Sequence, residues 1–285
     1  MPAFQFTFGD ITYDLNSRTH LMGILNVTPD SFSDGGSFFT VEDAVRRGIE
    51  IAEEGADFID VGGESTRPGS ESISVEEELR RVTPVIEQLA KRVRIPISID
   101  TYKSQVADKA LSAGAIIVND ITGFHADRTM PDIIGRHHAS AIVMHTKGMP
   151  KSMQENPRYE NVIEEIKTYL RESIDLAKRA GINQIIVDPG LGFGKTVEHN
   201  LEILRELRSF HQLGCPVLIG PSRKSFIGKI LDLPVDERLE GTAAAAAISI
   251  MNGANIIRVH DVKKMKRVAL IVDAVINLKH SEVEQ

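Results

Sequence analysis

The stretch IPISIDTYKSQVADKALSAGAIIVN, residues 95–119, decides the fold class. It begins with a short apolar run, Ile95–Asp100, continues with helical periodicity near 103–113, and ends in a second apolar run, Ile116–Asn119. Parallel strands need a crossover of a dozen or more residues between them, and a helix is the usual crossover. The stretch therefore predicts a β-α-β unit in which each strand ends on a polar side chain.

The same unit repeats along the chain, with short connections between most strands and helices. This pattern favours an α/β fold, a (β/α)8 TIM barrel, over a doubly wound sheet. No Gly-x-Gly-x-x-Gly dinucleotide-binding turn follows the first strand. The eight predicted strands are Leu21–Asn26, Phe58–Gly62, Ile95–Asp100, Ile116–Asn119, Ala141–His145, Ile185–Asp188, Val217–Gly220 and Ile256–His260.

Capping residues set several helix boundaries. Thr40 and Ser74 each precede an acidic residue by three positions, a pattern typical of helix N-caps, and Asp261 is the predicted cap of the last helix. Ahead of the barrel, Phe4, Phe6 and Phe8 alternate with polar residues before a Gly-Asp turn. This alternation predicts an N-terminal β-hairpin that covers the bottom of the barrel. The remaining helices are expected near 103–113, 127–137, 159–180, 198–212, 236–252 and 262–278.

Composition narrows the class of protein. The chain has 285 residues, 42% of them hydrophobic, which is enough for one barrel domain spanning 1–285. A net charge of −7 argues against general binding to nucleic acid or a membrane surface. The single Cys215 cannot form an internal disulfide, and Thr242–Met251 is too short an apolar stretch to span a bilayer. We therefore expect a soluble, cytoplasmic protein.

In a parallel barrel the C-terminal ends of all strands surround one mouth, where the chemistry of such enzymes takes place. The polar side chains Asp100, Asn119, Asp188 and Lys224 are expected inside it. Two carboxylates, an amide and an ammonium supply acceptors and donors suited to a flat polar heterocycle. Mutual salt bridges within the barrel are the alternative, and a Schiff base at Lys224 is another. The whole predicted ring contains Asn26, Asp100, Asn119, His145, Asp188 and His260.

A second set of side chains is cationic. Arg258 and His260 lie two residues apart on the last strand, so both face the barrel mouth, and Asn26 ends the neighbouring first strand. Arg67 follows the second strand. The guanidinium fork pairs well with phosphate, and together these residues favour a phosphate or diphosphate site. Taken singly, Arg258 could form a structural ion pair and His260 could be a hydrogen-bonded core histidine.

Several segments remain open to more than one interpretation. The long loops 27–39 and 63–73 leave the mouth and are expected to act as lids or binding loops rather than ordinary surface loops. Residues 190–195, Gly-Leu-Gly-Phe-Gly-Lys, are interpreted as a flexible turn with Phe193 available to pack on a ligand. The small residues 241–247 favour close helix packing, with a subunit interface as the alternative.

Six segments together resemble the dihydropteroate synthase family of the folate pathway. The two longest are MGILNVTPDSFSDGG, residues 22–36, and DVGGESTRPG, residues 60–69. The shorter ones follow in the family's order and spacing, and the resemblance covers essentially the whole chain. Pro221 is a departure, since the family more often has Thr there. The shorter segments are Ser98–Thr101, Val118–Ile121, Ser222–Lys224 and Arg258–His260.

The resemblance implies a reaction and its cofactor. The family joins 4-aminobenzoate to 6-hydroxymethyl-7,8-dihydropterin diphosphate, giving 7,8-dihydropteroate and diphosphate. Mg2+, a homodimer of barrels and sensitivity to sulfonamides are implied as well. Departure of diphosphate would leave a pterin methylene cation that the neutral arylamine attacks, so stabilisation of charge matters more than proton transfer. The alternatives are a methyltetrahydrofolate-dependent corrinoid methyltransferase and a non-catalytic pterin-binding homologue.

The resemblance also implies roles for individual residues. Asn26 is implied as the metal contact. Arg67, Pro68, Phe193 and Ser225 are implied as the 4-aminobenzoate site. Catalytic roles are implied for Asp100, Asp188, Lys224, Arg258 and His260. The pterin diphosphate is expected to contact Thr66, Asp100, Asn119, Asp188, Lys224, Arg258 and His260.

Overall fold

The computed structural model describes residues 4–28, 40–65, 70–148, 153–154 and 156–277. Ten strands occur in this part of the chain, two in an N-terminal hairpin and eight in a parallel sheet. The predicted hairpin and barrel are both confirmed. The strands are β1 Gln5–Phe8, β2 Ile11–Asp14, β3 His20–Asn26, β4 Phe58–Gly62, β5 Ile97–Asp100, β6 Ile117–Asp120, β7 Ser140–Met144, β8 Ile185–Asp188, β9 Leu218–Ile219 and β10 Ile256–Val259.

The eight parallel strands close into a ring. Neighbours in the sheet follow the order β8-β7-β6-β5-β4-β3-β10-β9. A parallel bridge between Val187 and Val217 joins the two ends, and the Val187 amide donates to the carbonyl of Pro216 at 3.0 Å. All strand C-termini therefore point to one mouth, as the repeated β-α pattern requires.

Nine α-helices cover the barrel in the described residues. Thr40 and Ser74 accept from the backbone N–H three residues ahead, so both predicted caps are confirmed. Asp261 precedes the last helix but makes no such bond, because its carboxylate pairs with Arg223 at 2.9 Å. The helices are α1 Val41–Glu53, α2 Val75–Leu89, α3 Ser104–Ser112, α4 Met130–Arg136, α5 Val162–Arg179, α6 Val197–Arg205, α7 Ser225–Leu231, α8 Leu239–Met251 and α9 Val262–Ile276.

Three of the elements differ clearly from their predictions. Strand β5 begins at Ile97 rather than Ile95, since Pro96 has no N–H to donate to a neighbouring strand. The segment between β9 and β10 holds two helices, α7 and α8, where the periodicity predicted one. Residues 207–213, predicted as the end of one helix, form a separate 3-10 helix after α6.

The hairpin seals the end of the barrel opposite the mouth. Its buried aromatic side chains stack edge-on against the barrel core, with the rings of Phe8 and Phe58 5.3 Å apart. Burying each such ring contributes about 1.5–3 kcal/mol of hydrophobic free energy. The apolar cluster at this base contains Phe4, Phe6, Phe8, Leu15, Met22, Phe58, Ile117, Ile142, Ile186, Leu218 and Ile256.

Helix α8 packs closely on α7 through its small residues. A Cβ on Gly241 would stand 2.3 Å from the Cγ2 atom of Ile227, so only glycine permits this approach. Thr242, Ala245 and Ala246 are also buried. The helix-packing interpretation of residues 241–247 is therefore correct for this face of the helix.

Candidate active site

An arginine bound by two aspartates lies at the centre of the mouth. The Nε atom of Arg258 donates to Oδ2 of Asp60 at 2.6 Å, and its Nη2 donates to Oδ2 of Asp100 at 2.5 Å. The amide of Asn119 also donates to Asp60 Oδ2, at 2.9 Å. Although burial lowers the pKa of Arg258, the two carboxylates raise it above its ordinary value. The guanidinium therefore stays charged inside the barrel.

The register of the strands brings the polar residues into one row. Asn26 pairs with Gly62, Gly62 with Asp100, and Asp100 with Asn119 across four adjacent strands. A Cβ on Gly62 would lie 3.6 Å from the Cβ of Asp100 and 3.9 Å from Oδ1 of Asn26. Asn26 and Asp100 therefore face each other across a glycine that leaves the space between them open.

Asp60 is the site residue that sequence reasoning missed. It lies in the middle of β4 between Ile59 and Val61, whereas most of the polar residues predicted for the site lie at or beyond strand ends. Its side chain is fully buried and bonds both Arg258 and Asn119. A charged residue in an otherwise apolar barrel strand was the available signal, because an ionised side chain is rarely buried without a partner.

Asp188 and Lys224 are the other two members of the predicted set inside the mouth. We call the region lined by Asp100, Asn119, Asp188 and Lys224 the floor of the mouth. The Oδ1 atom of Asp188 accepts from the backbone N–H of Gly190 at 2.7 Å, yet burial raises the pKa of this carboxyl overall. Burial likewise lowers the pKa of Lys224 to about 8, against the attraction of Asp188 and Asp100. Asp188 also interacts electrostatically with Arg258. Asp188 ends β8 and Lys224 directly precedes α7, so both lie on the mouth side of the barrel with Asp100 and Arg258.

A strained backbone turn presents Lys224 to this floor. Arg223 has a φ of +56°, in the left-handed region that costs a non-glycine residue free energy. Its amide donates to Thr242 at 3.0 Å, its guanidinium pairs with Asp261, and its carbonyl accepts from Arg238 at 3.2 Å. These bonds hold the turn, and the Lys224 ammonium lies 4.3 Å from the centre of the Phe193 ring.

Residues 190–195 are anchored rather than flexible, so the predicted flexible turn is wrong. Gly190 has a φ of +75°, and a Cβ there would come within 2.0 Å of the carbonyl oxygen of His145. The buried amine of Lys195 donates to Nδ1 of His145 and to the carbonyl of Phe193, both at 2.9 Å. The Phe193 ring is therefore held in place beneath Lys224.

The imidazole of His145 helps to hold this loop in place. Burial and the nearby Lys195 lower its pKa to about 2, so the ring stays neutral. Its ring stands edge-on to Tyr169 at 4.8 Å. The predicted end of this strand at His145 is wrong by one residue, since β7 ends at Met144, and the Nδ1 atom of His145 is occupied by Lys195.

His260 contacts Ser222 at the start of the Lys224 turn, and Ser225 directly follows that turn. The Nδ1 atom of His260 and the hydroxyl of Ser222 are 2.9 Å apart. Ser225 is the first residue of α7 and is exposed at the mouth. The structure thus brings together Asn26, Asp100, Asn119, Asp188, Phe193, Lys224, Ser225, Arg258 and His260. Thr66, Arg67 and Pro68 lie outside the described residues, as does most of the loop 27–39.

The residues present suit a magnesium ion only in combination with a substrate. Within the described residues, no three His, Cys, Asp or Glu side chains are grouped to hold a metal. Mg2+ is commonly bound through one or two protein oxygens together with substrate phosphates and water. The Asn26 oxygen at the mouth, and the buried Oδ1 of Asp100 that has no hydrogen-bond partner, fit that kind of site.

Comparison with known proteins agrees with this geometry. The family model for pterin binding enzymes matches residues 22–260. The dihydropteroate synthase of Clostridium beijerinckii is 47% identical over 271 residues, which cover 94% of this chain and 98% of that protein. The chain belongs to the dihydropteroate synthase family.

Solved structures of that family share the fold closely. The dihydropteroate synthase of Yersinia pestis in complex with a sulfonamide drug superposes with a TM-score of 0.91 at 41% identity, covering 96% of this chain and 100% of that one. The Xanthomonas albilineans enzyme with 4-aminobenzoic acid also gives 0.91, at 40% identity, covering 98% and 100%. Among the helices described here, none has the length and apolar character needed to cross a membrane.

Proposed function

We propose that this chain condenses 4-aminobenzoate with 6-hydroxymethyl-7,8-dihydropterin diphosphate, releasing diphosphate and 7,8-dihydropteroate. The observation that carries the proposal is the position of Asp100, Asp188, Lys224 and Arg258 at or beyond the C-terminal ends of the barrel strands, with Arg258 bonded to Asp100, in a chain of this family. The enzyme is a transferase of the folate pathway.

The floor suits a pterin ring. The Asp188 carboxylate accepts from the ring's exocyclic amine and N–H, while Asn119 and Lys224 donate to its carbonyl and ring nitrogen. A floor with buried donors and acceptors selects strongly, because a wrong ring leaves those groups without partners. The raised pKa of Asp188 reflects the burial that makes these bonds strong.

The mechanism is stabilisation of separating charge. As the C–O bond to diphosphate breaks, Arg258 and His260 bind the departing anion, and Asp100 and Asp188 lie beside the cationic pterin methylene group. The arylamine is neutral at pH 7, so its attack needs no strong general base. Phe193 packs against Lys224 and offers an apolar surface for the aromatic ring of 4-aminobenzoate.

Mg2+ is part of the proposal. Asn26 would hold it from the protein side, and the ion when bound would neutralise charge on the diphosphate. Thr66, Arg67 and Pro68 are assigned to the substrates by resemblance to the family. A cytoplasmic location and the organisation of the chain as one barrel domain are proposed on the same basis.

Exposed apolar side chains on two outer helices support the proposal that the chain forms a homodimer. Helices α8 and α9 pack on each other and carry large exposed apolar side chains, among them Ile248, Leu270, Ile271 and Val275, which are 48–69% exposed. Large exposed apolar side chains on two packed helices are typical of a subunit interface. Sedimentation of Ile271→Asp against the unchanged chain tests this: the variant should be a monomer.

The function is tested by assaying diphosphate release with 4-aminobenzoate, the pterin diphosphate and Mg2+ present. We expect release of diphosphate that depends on 4-aminobenzoate, together with formation of dihydropteroate. Methyl transfer from methyltetrahydrofolate to a corrinoid protein, without diphosphate release, would instead identify the alternative barrel. Inhibition by a sulfonamide, competitive with 4-aminobenzoate, is expected as well.

A further inference from the structure

A buried ion cluster lies at the foot of the loop 63–73, beside the candidate active site. The ammonium of Lys103 donates to Glu64 at 2.5 Å, to Glu78 at 2.7 Å and to the carbonyl of Ile73 at 2.8 Å. Lys103 directly precedes α3, Glu78 lies on α2, and Glu64 and Ile73 stand near opposite ends of the loop. One lysine thus joins two helices and both ends of this loop.

The two arms of the loop are also tied directly to each other. The backbone N–H of Ile73 donates to Oε2 of Glu64 at 3.0 Å, and the hydroxyl of Ser70 donates to the carbonyl of Ser65. Arg81 donates to the carbonyl of Gly63 at 3.0 Å. The chain therefore enters and leaves residues 66–69 from a fixed base.

The burial of this cluster is costly unless all of its members remain together. The side chains of Glu78, Glu64 and Lys103 are only 1%, 6% and 15% exposed. Burial lowers the pKa of Lys103, but the two carboxylates outweigh it and raise that pKa overall. Burial raises the pKa of Glu78, with Lys103 opposing the shift. Without the lysine, two buried carboxylates would face each other, so Lys103 governs the geometry of the whole cluster.

The cluster is connected to the floor of the site through Tyr102. The hydroxyl of Tyr102 donates to Oε1 of Glu64 at 2.7 Å. Its ring packs against an apolar group at the mouth that includes Met144 and Phe193, the residue beneath Lys224. Asp100 ends the strand two residues earlier. The base of the loop is therefore held at a fixed position relative to the floor.

We propose that Lys103 is a positioning residue for the second substrate. It holds the base of the loop that carries Arg67 and Pro68, and it acts through Glu64 and Tyr102 rather than by touching a ligand. This inference rests on the proposed function, which assigns that loop to 4-aminobenzoate. It predicts that disruption of the cluster weakens use of 4-aminobenzoate and leaves binding of the pterin ring at the floor intact.

The test compares Lys103→Met with Lys167→Met. Lys167 is a matched control, a buried lysine that bonds Glu164 at 3.0 Å and Gln212 at 3.1 Å away from this loop. For Lys103→Met we expect the KM for 4-aminobenzoate to rise about tenfold, since a small misplacement of binding groups can cost about 100-fold. The Kd of 6-hydroxymethyl-7,8-dihydropterin, which lacks the diphosphate assigned in part to Thr66, should stay within about twofold when it is measured by calorimetry. Lys167→Met should change neither value.

A milder variant guards against misfolding. Glu64→Gln keeps an oxygen for the Ile73 N–H but removes the charge that pairs with Lys103, so it should raise the same KM by a smaller factor. An unchanged KM for 4-aminobenzoate in folded Lys103→Met, or in Glu64→Gln if that variant alone folds, would overturn the proposal. So would an equal loss of pterin binding, which indicates general damage to the barrel.

A second measurement does not depend on activity. Hydrogen exchange at the amide of Ile73 should become faster in Lys103→Met and stay unchanged in Lys167→Met, because that N–H bonds to Glu64. If the unchanged chain releases no diphosphate, the proposed function fails, and faster exchange at Ile73 would still establish that Lys103 fixes the loop. Unchanged exchange in Lys103→Met would refute the positioning role itself.

Discussion

The Oδ2 atom of Asp60 accepts from both Arg258 and Asn119, at 2.6 and 2.9 Å. Asp60 itself is fully buried below them, so it orients the two side chains that face the mouth rather than meeting a substrate. An arginine held at two points by Asp60 and Asp100 presents its fork in one direction only. Under the proposed function, this arrangement would pre-organise the guanidinium for the departing diphosphate.

Asp60→Asn should therefore reduce activity without directly removing a ligand contact. We expect kcat/KM to fall about 100-fold, since the Arg258 guanidinium loses one of its two charged partners and its orientation. The free energy of unfolding should fall by about 3–5 kcal/mol, as is typical when one partner of a buried ion pair is removed. Asp57→Asn, at the base of the barrel where Asp57 pairs with Arg18 at 2.5 Å, is the control. It should lower stability while kcat/KM stays unchanged.

Asp188→Ala should damage pterin binding and turnover together. The proposed function assigns its carboxylate to the pterin ring, and the Gly190 N–H donates to that carboxylate at 2.7 Å. Loss of a charged hydrogen-bond partner costs about 1.5–3 kcal/mol per bond, so kcat/KM should fall about 100-fold. Calorimetry with the pterin diphosphate and steady-state kinetics measure the two effects. Intact binding and turnover in this variant would remove Asp188 from the pterin site.

Ser225→Ala should act on the second substrate alone. Ser225 is exposed at the start of α7, beside Lys224. We expect the KM for 4-aminobenzoate to rise about threefold to tenfold, the effect of one hydrogen bond, with kcat and pterin binding retained. Ser112→Ala, an exposed serine at the end of α3, is the matched control. A lower kcat with an unchanged KM would contradict the assignment.

Activity should depend on the protonation of Lys224. Burial lowers the pKa of this amine from 10.5 to about 8, so the ammonium is present below pH 8 and is lost as pH rises through that value. The kcat/KM for the pterin diphosphate should therefore fall above pH 8. A pH profile of Lys224→Arg checks the cause, because a guanidinium stays charged and should carry the fall to higher pH. The same fall near pH 8 in that variant would assign it to another group.

The strand pattern was predictable because a buried parallel strand is a short apolar run between helices. Phe58–Gly62 and Ile185–Asp188 have the predicted boundaries. Helix α7 was missed because its seven residues follow the Ser-Arg-Lys turn directly and are too few to show periodicity. Asp261 was predicted as a cap from sequence position alone, and the partner that takes its carboxylate, Arg223, lies 38 residues away.

Contacts within the site were harder to predict than its location. The alternation of side chains along a strand predicts that Arg258 faces the mouth. Only the folded barrel shows which carboxylates it bonds. The glycines of residues 190–195 indicated flexibility, whereas positive φ values there serve a tightly packed loop. Lys195 gave no signal in the sequence, because its partners are a ring nitrogen and backbone carbonyls rather than an acidic residue.

The aromatic hairpin at the base determines the route by which substrates enter and products leave. Since Phe6, Phe8 and Phe58 fill that end, the barrel is closed there and the site is reached from the mouth. Both reactants enter and both products depart by the same opening. A product that stays at the mouth would block the next substrate, so we expect the rate of release to limit how soon the site can be used again.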